Sequence, residues 1–289
     1  MDKTKISKAE ELVNQLKFKM ENPISQDIAM HVEDLLNLDL SEYIKVFTNT
    51  KLDSVLIEGF NPRSINIFAG RTGSGKSLAL FHLAYRFSIT NDSVCYISFE
   101  NDIYNDAERM QELSKTYIEK GNFDYYNYLE LEALGYGVDR KSIVELFKNY
   151  KYVFLDAYQL LTDDLEDGAS MHATGNVLMK ELHKISLKYG ITFFLSWQLT
   201  RGAPTDIKEI EVDDMSFSIG VARYASSVWA ISKEQSEKSE NVLWRIRLIK
   251  SRAKYNDNKT IISMYNKNNN CVCLTNEEEL AWFKAWFKI

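Results

Sequence analysis

The sequence predicts an α/β protein: a mostly parallel central sheet with helices on both faces, finished at its C-terminal end by antiparallel strands. Three observations predict it. Short, almost wholly apolar runs recur as SINIFA (64–69), VCYISF (94–99), YVFLDA (152–157) and ITFFLS (191–196), the texture of strands buried on both faces. Helical patterns alternate with them, which implies right-handed crossovers between parallel neighbours. After residue 225 the texture changes. SSVWAI, the alternating VLWRIRLIK, TIISMY and CVCL read as strands, with NKNNN between the last two as a hairpin turn, so the sheet ends antiparallel.

The elements follow in order along 289 residues, enough for one large domain with extensions. Ser7 and Glu10 form a capping box before Leu12, Val13, Leu16 and Met20 at helical spacing, and Asn22–Pro23 ends that helix. Ile28, Val32, Leu35 and Leu36 suggest a second, short helix before a connector around 41–52. Residues 51–275 carry the sheet. LALFHLAYRF, after the glycine-rich turn at 70–75, is a helix apolar on most sides. The helix before ITFFLS presents Leu178, Leu182, Ile185 and Tyr189 on one face and ends at Gly190, where a C-cap belongs. The tail at 276–289 starts at a candidate N-cap, Asn276, followed by three glutamates favoured by the helix dipole. Leu280, Phe283, Trp286 and Phe287 make it an amphipathic aromatic helix, read first as a helix docked on the core.

Composition narrows the class. Apolar residues make up 45% and charged residues 26% of the chain, values of an ordered globular protein. A net charge of -6 and a pI near 5.4 exclude coating of nucleic acid through bulk charge, leaving only a local basic groove. Three cysteines, Cys95, Cys271 and Cys273, make neither a disulfide framework nor a zinc pattern and fit a reducing compartment. No run approaches the ~20 apolar residues of a membrane span, and the N-terminus lacks a signal-peptide core. The expected location is the cytoplasm.

GRTGSGKS at 70–77 satisfies the P-loop pattern between a strand and a helix. Gly70, Gly73 and Gly75 let the backbone approach phosphate oxygens, and Arg71, Thr72 and Ser74 supply further inward N–H groups at the positive end of the helix. Lys76 is placed for the β- and γ-phosphates of ATP and the Ser77 hydroxyl for Mg²⁺. Phosphoryl transfer also needs a second metal contact, a group to activate water and a cation for the developing charge. Asp156, closing an apolar strand, suits the second contact through water. Glu100, ending the strand after the P-loop helix, suits the base.

In order and spacing these segments resemble the motor domain of DnaB-type hexameric replicative helicases, RecA-like P-loop ATPases, particularly the phage-encoded relatives. AGRTGSGKS (69–77) is similar to the family's AGRPxMGKT, YISFE (96–100) to its SLEM segment, and FLDAYQLL (154–161) to its DYLQL segment. SWQLTR (196–201) resembles SQLNR, and IKSRAKYNDNK (249–259) resembles the late strand ending in a Lys-x-Arg pair. The resemblance implies catalytic roles for Lys76 and Glu100, and a γ-phosphate-sensing or loop-coupling role for Gln198. It makes Lys250 and Arg252 finger cations projecting into a neighbouring subunit's site. A homo-oligomeric ring, expected to be hexameric, and single-stranded DNA follow as partners, with a helicase loader, a primase or another replisome protein beyond them. The resemblance makes residues 1–50 a helical linker or oligomerisation segment, too short to hold the collar domain that precedes the linker in the family. The DNA-facing loops are expected near 163–175 and 201–213, the first of them acidic.

Two other readings stand beside the helicase. A RecA-like recombinase or strand-exchange mediator shares the Walker motifs and the oligomer logic. A nucleotide-switched assembly ATPase would bind ATP to hold a partner without moving on DNA, and the acidic pI, the acidic loop and the aromatic tail around Trp282 and Trp286 suit it.

Overall fold

The computed structural model describes residue 46 and residues 52–57, 59–116, 121–134, 140–157, 171–216, 218–235, 241–255, 260–266 and 271–272. The chain divides into two units, Met1–Ile44 and Lys45–Ile289, and every element described belongs to the second. The expected helices at 7–40, the acidic loop at 163–168 and the tail helix at 276–289 lie outside the described residues.

Nine strands form one sheet in the order β3-β2-β4-β5-β1-β6-β7-β8-β9. They are β1 (Ile65–Gly70), β2 (Val94–Ser98), β3 (Asp124–Asn127), β4 (Tyr152–Asp156), β5 (Thr192–Gln198), β6 (Ser227–Gln235), β7 (Asn241–Ser251), β8 (Thr260–Asn266) and β9 (Cys271–Val272). The helices are α1 (Leu52–Val55), α2 (Lys76–Ser88), α3 (Ile103–Thr116), α4 (Tyr128–Ala133), α5 (Arg140–Phe147), α6 (Met171–Tyr189) and α7 (Ser218–Tyr224). β3 through β6 in the sheet order are mutually parallel, and β7, β8 and β9 add on antiparallel. The expected architecture is therefore present. Two details differ from the sequence reading. SSVWAI joins β1 as a parallel strand, so antiparallel pairing begins one strand later, and β3 is an additional edge strand whose sequence, DYYN, has no apolar run to announce it.

Strand alternation sorts the core into two layers. Ile65, Ile67 and Ala69 of β1 and Phe193, Leu195 and Trp197 of β5 face Ile143 and Phe147 of α5, Leu178, Leu182 and Ile185 of α6, and Val221 of α7. Phe68, Phe154, Phe194 and Trp229 face α1 and α2 on the other side. There Phe154 stacks on Phe194 at 4.6 Å between centroids, and Phe60 meets the Phe194 edge at 5.4 Å. Such ring pairs add ~0.5–1.5 kcal/mol beyond the area they bury. α6 ends as expected: Gly190 adopts φ 76°, and its N–H and that of Ile191 both reach the Ser186 carbonyl. Tyr189, assigned to the apolar face, is instead 37% exposed, lying past the last turn that the sheet covers. Among the described residues no helix is long and apolar enough to cross a membrane.

α2 is buried on nearly all sides, including its own His82. Burial, and then the nearby Arg86, push the His82 imidazole down to about 3. The unfolded chain takes up this proton near pH 6.5 while the folded one does not. The stabilisation from a neutral His82 is therefore full above pH 6.5 and is lost as pH falls toward about 3. Urea unfolding of His82→Gln between pH 6.5 and 4 is expected to show a pH slope shallower than wild type by up to ~1.4 kcal/mol per pH unit. Parallel stability curves would remove His82 as the cause.

Candidate functional site

The site forms where β1 stops and α2 starts. Gly70 closes β1 with no room for a side chain: a Cβ there would lie 2.3 Å from Ser74 Oγ and 2.8 Å from the Ile231 carbonyl. The loop turns through Gly73 (φ 74°) and Gly75 (φ 86°), left-handed conformations that non-glycine residues rarely adopt. At Gly75 a Cβ would also sit 2.6 Å from the Trp244 indole of β7. The Ser74 hydroxyl is buried and, among the described residues, without a hydrogen-bond partner. Lys76 Nζ donates back to the Arg71 carbonyl at 3.1 Å. A backbone cradle with an orphaned hydroxyl and an inward-folded lysine fits a polyphosphate, which would satisfy both. Burial lowers the Lys76 pKa, while Asp156 and Glu100 oppose the shift, so both carboxylates lie within the field of the ammonium.

Asp156 is the hub. Its carboxylate is fully buried and accepts from Ser77 Oγ at 3.1 Å, Tyr96 OH at 3.0 Å, Asn101 Nδ2 at 3.2 Å and Ser196 Oγ. The peptide that follows it is cis. Burial first, and then the Asp156 charge, raise the Tyr96 phenol well above its ordinary value, so it stays a donor. Ser77 and Asp156, the two expected metal contacts, thus touch. Among the described residues no cluster of three or more His, Cys, Asp or Glu could hold an ion. The pair suits Mg²⁺, which keeps waters and takes phosphate oxygens rather than a full protein cage.

Glu100 lies two residues past β2 with its side chain exposed, on the same sheet edge as the P-loop. Gln198 ends β5 opposite Gly70 and donates from Nε2 to Thr72 Oγ1 at 2.7 Å, reaching the phosphate loop directly. Its carbonyl accepts from the Ser216 N–H at 2.9 Å and from the Ser216 hydroxyl. Between them, 199–216 makes an excursion pinned by buried Ile207 and Ile210 and by Arg247, whose Nη1 donates to both their carbonyls. Arg71 reaches the same excursion at the Ala203 carbonyl, 3.3 Å away. The second expected DNA-facing loop, 201–213, is therefore tied to the phosphate loop through Arg71, at the Ala203 and Arg201 carbonyls.

Lys250 and Arg252 are elsewhere. β7 runs antiparallel, and Lys250 lies opposite Val228 near the start of β6. The Arg252 N–H bonds the Ser226 carbonyl at 2.8 Å, and the Ser226 N–H bonds that of Ile65. Arg252 therefore sits at the edge where β1 begins, about five strand positions or ~16 Å from Gly70. Lys250 Nζ donates to the Ala222 carbonyl and, at 2.8 Å, to that of Ala225; Arg252 Nη2 donates to the Arg223 carbonyl. Burial, and then Arg252, push Lys250 down to about 8. The structure brings Gly70 to Ser77, Glu100, Asp156 and Gln198 together and leaves Lys250 and Arg252 outside that group.

The sequence reading passed over Tyr96, Asn101, Ser196 and Trp244. The hydroxyl that ends the buried run ITFFLS was a signal for Ser196, since a buried polar group needs a partner. Trp244 carried none, because its role comes from the antiparallel pairing of β7.

Gly75→Ala is expected to weaken ATP binding at least tenfold by calorimetry and to cost ~1–3 kcal/mol of stability, since it combines a forbidden φ with the indole contact. Wild-type affinity in the folded variant would show that the loop tolerates a side chain there.

No family model and no curated protein matches the chain. Solved structures do. The flagellar accessory protein FlaH from Methanocaldococcus jannaschii is 16% identical, with a TM-score of 0.53 over 81% of this chain and 98% of that one. A KaiC-like protein from Pyrococcus horikoshii OT3 is 15% identical, with a TM-score of 0.54 over 81% of this chain and 99% of that one. At such identities the likeness speaks to architecture, and with the strand order and the glycine loop above it establishes that this chain has the RecA-like P-loop ATPase fold.

Proposed function

We propose that the chain is an ATP hydrolase that assembles into a ring and uses turnover to move along single-stranded DNA as a helicase. The observation that carries the hydrolase reading is the convergence of Lys76, Ser77, Asp156 and Glu100 on one edge of the sheet. Lys76 and the loop N–H groups hold the β- and γ-phosphates. Ser77 and Asp156 would hold Mg²⁺, which would supply neutralisation of phosphate charge. Glu100 orients the attacking water and accepts its proton. Gln198, bonded to Thr72 and to the 199–216 excursion, relays the state of the phosphate loop outward. Lys250 and Arg252, at the opposite edge, act on a neighbouring subunit's nucleotide, where Arg252 offers a planar fork to phosphate oxygens. The step to DNA rests on the ordered motif resemblance to DnaB-type motors.

A second reading, a nucleotide-switched assembly ATPase, is favoured by one observation. The 201–213 excursion carries Asp206, Glu209, Glu211 and Asp213 against Arg201 and Lys208, a charge balance that repels phosphate backbones. The likeness to a flagellar accessory protein suits the same reading.

Glu100→Gln is expected to keep ATP affinity and lower turnover by roughly 10²–10⁴, measured by phosphate release; turnover at the wild-type rate would assign the base to another group. Mixing Arg252→Ala with Lys76→Ala subunits is expected to restore part of the activity, since some interfaces regain every group. With ATP and a forked duplex the wild type is expected to unwind. Turnover without unwinding, and without salt-dependent binding to single strands, would leave the assembly reading in its place.

A further inference from the structure

We infer that the side-chain amide of Asn127, from the edge strand β3, is the positioning group that holds the Glu100 turn in its reactive place. The inference rests on Glu100 serving as the base, as proposed above. Asn127 is 5% exposed and every polar atom of its side chain is committed. Its Nδ2 donates to the Asn101 carbonyl at 2.8 Å and to Tyr125 OH at 3.1 Å, while its oxygen accepts from the Glu130 N–H at 3.1 Å as the N-cap of α4. The amide cannot be turned over without losing all three, because it would then face a carbonyl with an oxygen and an N–H with an NH₂.

The Glu100 turn is held from two sides. On the β4 side the Phe99 N–H reaches the Asp156 carbonyl at 2.6 Å and the Asn101 side chain reaches the Asp156 carboxylate at 3.2 Å. On the β3 side the contact is the Asn127 amide on the Asn101 carbonyl. Glu100 itself is exposed, so its direction is set by its neighbours' backbone. A base must stand within hydrogen-bond reach of its water, and displacement by ~1 Å can cost on the order of a hundredfold in rate.

The amide is itself fixed from behind. Tyr125 OH donates to Asp106 Oδ2 at 2.9 Å, which leaves its oxygen free to accept from Asn127. Asp106 is 1% exposed and its other oxygen is bonded to Arg109 Nη1 at 2.6 Å. Burial raises the Asp106 pKa, with Arg109 opposing the shift, and the guanidinium fixes the position of the carboxyl group through that contact. The chain Arg109, Asp106, Tyr125, Asn127, Asn101 thus runs from α3 to the catalytic turn, each link with one hydrogen-bond polarity.

The cap and the clamp use different atoms of one residue, and this separates them experimentally. Asn127→Ser and Asn127→Asp each keep an oxygen for the α4 N-cap and lack the amide. In the full chain, hydrogen exchange of residues 99–104 is expected to quicken about tenfold or more while 128–133 keep wild-type protection. Under conditions where the wild type turns over, kcat is expected to fall about tenfold with KM for ATP unchanged. Unaltered exchange at 99–104 in either folded variant overturns the inference, as does protection lost evenly across the sheet with KM rising alongside. If Glu100→Gln abolishes turnover while Asn127→Ser keeps the wild-type kcat, the clamp alone fails. If Glu100→Gln turns over normally, the choice of base fails first.

Discussion

A carboxylate removed from water must be given donors or lose its charge, and the arrangement of this protein's nucleotide edge follows from meeting that demand at Asp156. No part of the residue is exposed, and its donors come from four separate segments: Ser77 at the start of α2, Tyr96 inside β2, Asn101 in the turn after β2, and Ser196 inside β5. The sheet order puts β4 between β2 and β5, so two of these donors come from the strands on either side. Opposite strand partners at Ser98 and Asp156 then bring the turn after β2, with Glu100, to the same level as the end of β4. One buried charge thus aligns three strand ends and a helix start, and a metal ion arriving there would replace hydroxyl donors without rebuilding the frame.

The antiparallel extension takes part in this. β6 and β7 run on beyond the end of β1, with Gly70 opposite Ile231 and Trp244 opposite Lys233, so that the Trp244 indole lies against Gly75. The loop is shaped by its glycines from within and by an aromatic wall from without, so the left-handed turn at Gly75 has no space in which to relax. Arg247, three residues on, anchors the 199–216 excursion through two carbonyls. A strand outside the parallel core therefore supports both the phosphate loop and the segment hydrogen-bonded to it.

What was legible in the sequence follows from what pattern can encode. β1, β2, β4 and β5 are buried on both faces, so each appears as an almost wholly apolar run, and the glycines of the P-loop stand where the backbone requires them. Glu100 and Asp156 stood out because each closes an apolar strand run, and parallel strands deliver their ends to one edge, whereas Gln198 was marked only by the motif resemblance of SWQLTR. Strand direction is not encoded in a short apolar run, which is why SSVWAI gave no sign of pairing parallel with β1. β3 was illegible for a different reason: as an edge strand it needs little burial, and DYYN serves hydrogen bonding more than packing. Asn127 and Tyr125 lie on that strand, so the polar network behind the Glu100 turn was hidden along with it.

The placement of Lys250 and Arg252 bears on how a ring of such subunits would be coupled. In the single subunit their charges rest on the carbonyls of Ala222, Arg223 and Ala225, at the end of α7, where the helix dipole and the unpaired carbonyls favour cations. These are neutral acceptors, and burial already weakens the hold of Lys250 on its proton. A neighbour's γ-phosphate is a stronger, charged acceptor, so exchanging carbonyl for phosphate would restore full charge to Lys250 and uncap the end of α7. That helix begins two residues after Ser216, whose N–H and hydroxyl are bonded to the Gln198 carbonyl. In the proposed ring, the acceptor chosen by the fingers in one nucleotide site and the hydrogen bonds around Gln198 in the next would be joined through α7. Such a connection would carry the nucleotide state from subunit to subunit with side-chain exchanges alone, without requiring the sheet to deform.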